Sequence, residues 1–123
     1  MSHITHIETK IQFKDWLILR QALQALGEVR TEIHDHYNNK QTVDMSLWAK
    51  EFPKGIGFKK QGSGEYSVLM DDYGYVTQAH NLLNKISQKY IQLYATRAAQ
   101  HQGFRTQETT KENGHVQLFA RRY

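Results

Sequence analysis

The chain has 123 residues, 39% of them apolar and 23% charged, with one proline and no cysteine. That length suits about one domain, covering residues 1–123, and the composition is that of an ordinary globular protein, neither disordered nor collagen-like. Absent cysteine excludes a disulfide framework, a zinc ribbon and a thiol nucleophile, no apolar run approaches the roughly 18 residues of a membrane span, and a formal net charge of +4 permits an acidic partner without demanding one.

The start, Met1-Ser2-His3-Ile4-Thr5-His6, lacks the apolar core of a signal peptide, so a cytoplasmic setting is expected. A short first strand follows, with Ile7 and Ile11 inward and His6 outward. Trp16, Leu19, Leu23 and Leu26 recur at three- and four-residue steps and predict a first helix, closed by Gly27. Next comes alternation. Val29, Thr31 and Ile33 face one way, Arg30, Glu32 and His34 the other; Val43, Met45 and Leu47 alternate with Asp44, Ser46 and Trp48. Tyr66, Val68 and Met70 repeat the pattern. Asn38-Asn39 and Gly62-Ser63-Gly64 mark turns. A second helix is predicted from Ala79, Leu82, Leu83, Ile86, Tyr90, Leu93 and Tyr94, with Thr77 as N-cap and Gly103 after it. The last strand, over residues 116–123, is tied to residues 104–110 by the hairpin dipeptide Asn113-Gly114. Its loss is expected to unfold the protein.

The order is therefore β-α-β-β-β-β-α-β-β. Gly27-Glu28-Val29-Arg30-Thr31-Glu32 and Gly103-Phe104-Arg105-Thr106-Gln107 each follow a helix, an echo that suggests an internal β-α-β-β duplication. The fold class read from this is α+β, a single two-layer domain with two helices on one face of an antiparallel sheet of about seven strands.

Chemistry is sparse. His34 and His36, two apart on a strand, would share a face, and His6 could join them, but no further ligand stands at motif spacing, so no metal or cofactor is expected. Asp71-Asp72 reads as a strand end entering a turn, because adjacent strand carboxylates point to opposite sides. Gly55-Ile56-Gly57 and Gly62-Ser63-Gly64 lack the spacing of a phosphate loop, and none of the five serines has a nucleophile signature. An enzyme is disfavoured.

With Ile33, Val43, Met45, Leu47, Val68, Leu118 and Ala120 beneath the helices, the opposite face carries Trp48, Leu69, Phe119, Arg121 and Tyr123. That is more apolar surface than a solvated face needs. The reading drawn from it is an accessory or adaptor protein using this open face for a protein partner or for self-association. The alternative is nucleic-acid, specifically RNA, binding by the same face, with the aromatic rings stacking on bases and Arg121 and Lys59 on phosphates. A metal- or small-ligand-dependent enzyme using His6, His34 or His36 comes third.

A further set of residues runs along the whole chain: Met1-Ser2-His3-Ile4, Ile7 and Lys10, then Gly57-Phe58, Gly62, Tyr66 and the Asp72-Tyr73-Gly74 turn, and last Tyr90, Gly103-Phe104 and the terminal Arg121-Arg122-Tyr123. In these the chain resembles the hypothetical chloroplast reading frame thirty-five family of algal plastids and cyanobacteria, a domain-of-unknown-function family. The resemblance implies an accessory role in a cyanobacterial cytoplasm or plastid stroma. It carries no catalytic or ligand residue with it.

Overall fold

The computed structural model describes residues 3–101, 104–110 and 116–122. Its elements are β1 (Thr5–Ile7), α1 (Trp16–Leu26), β2 (Glu28–His34), β3 (Lys40–Ala49), β4 (Phe52–Lys60), β5 (Tyr66–Met70), α2 (Val76–His101), β6 (Phe104–Thr110) and β7 (Val116–Arg122), the order expected from the pattern. Asp15 starts α1: its carboxylate accepts from the Leu17 and Ile18 amides at 3.0 and 3.1 Å, two donors a helix start would otherwise leave unpaired. Ile18, Leu19, Ala22 and Leu23 are the buried face of α1, whereas Trp16 is 51% exposed. Helix α2 begins at Val76, one residue before the expected cap Thr77, because the 72–75 turn, closed by Tyr75 N–H to the Asp72 carbonyl at 2.8 Å, already delivers the chain in helical register.

Strands β1 to β5 form one antiparallel sheet in the order β1-β5-β4-β3-β2. The expected seven-stranded sheet is instead five strands plus a separate pair. β6 and β7 bond only to each other, from Phe104↔Arg122 to Thr110↔Val116. The physical reason is the length of α2. Its 26 residues advance the chain by about 39 Å, further than the sheet's longest strand of 10 residues spans, and β6 and β7 lie in contact with α2. The Asn113-Gly114 turn and Gly103 lie outside the described residues.

Both helices share one buried cluster with Met45, Leu47, Ile56, Phe58, Val68 and Met70. Phe58 stands opposite both Met45 and Val68 in register, which puts these side chains on one face. Ile33 and Val43 are not among them. They pack with Leu69 and Ile4 in a second, smaller cluster on the other face, against the strict alternation read from the sequence.

A bend in the β2–β3 hairpin causes the change. Arg30 pairs with Ser46 but Glu32 pairs with Thr42, so β2 advances two residues while β3 advances four. β3 also leaves β4 beyond the Met45↔Phe58 pair, and there the Asp44 carboxylate accepts the Lys60 amide at 2.6 Å. Past the bend, residues 32–42 fold back over the second face of the sheet. They have room because β4 carries Gly55 and Gly57 there. A Cβ on Gly57 would meet Val43 Cγ1 at 2.9 Å and Ile33 Cδ1 at 3.1 Å; on Gly55 it would meet Trp48 Nε1 at 2.7 Å. A larger residue at Gly57 would push on Val43 and Ile33, and one at Gly55 on Trp48.

Candidate functional site

The folded arm decides what the expected surface residues can do. Leu69 is only 3% exposed, because the arm lies on it. Trp48 is half-buried: its indole N–H lies 2.9 Å from the Glu32 carbonyl and 3.1 Å from Ser46 Oγ, the Arg30 guanidinium sits 4.3 Å above the ring, and His34 meets it edge-on. Phe119 and Arg121 belong to β7, opposite Gln107 and Arg105, in the other sheet. Tyr123 lies outside the described residues. Trp48, Leu69, Phe119 and Arg121 therefore do not form one open sheet face.

The three candidate histidines also separate. His6 is exposed on β1, opposite Leu69 in register. His34 ends β2, its Nδ1 2.9 Å from Asn38 Oδ1, while its buried Nε2 has no hydrogen-bond partner and lies 3.8 Å from Glu32 Oε2. His36 is not on the strand at all but in the turn at the tip of the arm. Among the described residues no three histidine or carboxylate side chains gather as metal ligands.

The tip is where polar groups do converge. His36 reaches Asp71 at the end of β5: its backbone N–H donates to Oδ2 at 2.7 Å, and its Nδ1 lies 2.6 Å from the same oxygen. Tyr73 N–H donates to the other oxygen at 3.1 Å. The imidazole is stacked on the Tyr73 ring, with the His3 and Tyr37 rings close by. Asp35, one residue earlier, accepts from the Tyr37 and Asn39 amides and from the Asn39 side chain. Both carboxylates are almost fully buried. Burial alone pushes the Asp71 carboxyl up, but the bonds from the His36 ring, the His36 amide and the Tyr73 amide outweigh it and hold it below the ordinary value. In Asp35, too, burial is the largest influence, and the donors of Asn39, Tyr37 and His3 outweigh it in the same direction. The sequence hint was available: Asp71 closes the apolar run Val68-Leu69-Met70, where an ionised group needs partners. The arrangement fastens three chain segments together. The hollows described next are not lined by His36.

The space lies elsewhere. Residues 8–14 run beside α2, and between them are two adjoining hollows of about 590 and 450 Å³ that share Thr9, Lys10, Ile11 and Ile91. Helical spacing builds the floor, because Leu83, Ser87, Ile91 and Tyr94 recur at three- and four-residue steps along one side of α2. The wall is pinned to the floor: the Tyr90 hydroxyl accepts the Lys14 and Asp15 amides, each at 3.1 Å. Ile91 and Tyr94 are about half exposed, at 49% and 52%. Lys10 and Lys14 line the larger hollow, where no carboxylate stands among the described residues, and Glu8 lines the smaller one.

These features define an α+β protein whose sheet is closed on one face by its own hairpin and which keeps an open groove beside its long helix. The chain belongs to the family described as protein of unknown function DUF1257, whose model matches residues 21–119. The resemblance read from the sequence to an uncharacterised family holds at that level. Comparison with curated proteins and with solved structures finds no match. No helix among the described residues is long and apolar enough to cross a membrane.

Proposed function

We propose that the chain is a non-enzymatic accessory protein that acts through protein contacts, and that it makes them in the groove between residues 8–14 and α2. The observation that carries this reading is the half-exposed Ile91–Tyr94 pair above a wall already held in place by Tyr90. A preformed apolar groove binds without the cost of ordering it first. The occupant is a segment of another protein that carries acidic residues beside its apolar ones. Lys10 and Lys14 meet the acids, and α2 has no Asp or Glu in its 26 residues to repel them. The cyanobacterial or plastid setting implied by the family resemblance belongs to this proposal.

A photoreactive residue placed at Tyr94 tests it, with one at Tyr37 as control and native-host extract as the source of partner. The expected result is one discrete adduct from position 94 whose linked peptide is acidic, lost in the Ile91→Asp variant at unchanged melting temperature. Equal labelling from both positions overturns the reading. A linked peptide that is basic removes the acidic occupant but leaves the groove.

A further inference from the structure

The arm over the second face is built differently from the rest of the sheet. It meets the sheet through Ile33, Val43 and Leu69, with Ile4 at their edge, a small cluster among the described residues that is separate from the core shared by the helices. At its base the β3–β4 ladder has ended, and a side chain, Asp44, holds the Lys60 amide in place of the missing backbone partner. Along its length the arm is tied to the sheet by the Glu32 carbonyl, which accepts from Ser46 Oγ at 2.7 Å and from Trp48 Nε1 at 2.9 Å. At its tip the strongest attachment is one histidine on one buried aspartate. Segments with few buried apolar contacts, joined to a larger core by a local fastening, open at lower free energy than the core itself.

We propose that residues 32–42 form a hinged cover that opens as a unit about the bend at Thr31 and Asp44, with the contact between His36 and Asp71 as its latch. Opening separates Ile33 from Gly55, Gly57 and Leu69 and takes the Glu32 carbonyl away from the Trp48 indole N–H, which keeps Ser46 Oγ at 3.1 Å. It uncovers the apolar sheet face on which the sequence pattern places Trp48 and Leu69. The hinge is the position where β2 advances two residues against four in β3, so the two halves of the hairpin already run in different directions there. The groups around the latch come from every adjoining element. Asp35, His36 and Tyr37 belong to the arm, His3 to the segment before β1, Asp71, Asp72 and Tyr73 to the end of β5, and Lys54 of β4 donates to the Tyr73 carbonyl at 3.2 Å. None of them is needed by the shared core, so release of the latch leaves that core standing.

Hydrogen exchange of the full chain, followed amide by amide, tests the cover. In the unaltered protein the amides of residues 32–42 should share one opening rate, faster than that of Leu47, Ile56, Phe58 and Val68. Asp71→Asn and His36→Ala should each speed the arm by about tenfold or more and leave those four amides unchanged. Acceleration of arm and core together overturns the proposal, because the arm is then part of one cooperative unit; no acceleration in either overturns the latch. Should the Asp71 variant fail to fold, Gly57→Ala serves instead. Its methyl group meets the ends of Val43 and Ile33 and must lift the arm alone. Uniform destabilisation by that variant counts against the hinge.

Discussion

The imidazole of His36 rests on the carboxylate of Asp71, which lies 35 residues further along the chain and three strands away in the sheet. Two donors of a single residue, its amide and its Nδ1, converge on the same oxygen at 2.7 and 2.6 Å. In the neutral ring this places the proton on Nδ1, since an ionised carboxylate can only accept. A turn at the tip of one hairpin is thereby fastened to the far end of another strand.

Removing the acceptor is the direct test of that fastening. Asp71→Ala leaves the His36 and Tyr73 amides without their partner, and hydrogen bonds to a charged group contribute about 1.5–3 kcal/mol. Denaturant melts should show a loss in that range. A loss within error of zero means the contact holds nothing.

Acid should weaken the protein through the same region. Asp35 and Asp71 are both held below the ordinary carboxylate value, so the stability they contribute is complete above that value and is lost as pH falls through their folded values. The melting temperature should therefore drop from about pH 4 downward, starting from the ordinary aspartate range. The drop should be shallower in Asp71→Asn. Identical acid profiles for the two proteins speak against Asp71 as a source.

Gly57→Val asks more of the second face than the space allows. Its Cβ alone would stand 2.9 Å from Val43 Cγ1, and two further methyl groups follow. Overpacking of this kind costs about 1–3 kcal/mol. Gly62→Val, at an open position with nothing within 4 Å, is the matched control and should be nearly neutral.

Tyr90→Phe separates the groove from the core. The ring keeps its edge-on packing against Phe13, but the Lys14 and Asp15 amides lose their acceptor, at about 1–3 kcal/mol if both stay dry. Crosslinking from position 94 should fall with it, because the wall of the groove is no longer pinned. Full crosslinking in this variant shows that the wall does not matter.

Deleting residues 114–123 was expected from the sequence to unfold the protein. The strand is present as expected, but β7 pairs with β6 alone, and every strand of the five-stranded sheet keeps its neighbours without it. The truncated chain should therefore retain a cooperative melt. Circular dichroism during heating decides between the two outcomes.

Local chemistry was legible in the chain itself. The order of strands and helices, the Asp72-Tyr73-Gly74 turn, the pairing of residues 104–110 with the last strand and the apolar side of α2 all follow from periodicity and turn residues, which act over a few positions. What the sequence could not decide was direction in space. The alternation of Ile33 and Val43 with Met45 and Leu47 is unbroken on paper, yet a register shift between Arg30 and Glu32 turns the first two onto the other face. The glycines at 55 and 57 were visible, and in a strand their spacing of two marks a strip without side chains on one face. What fills that strip is fixed only when the arm folds over it. The same holds for His36 and Asp71, whose contact is made by a fold that brings distant segments together, at a separation no local pattern encodes.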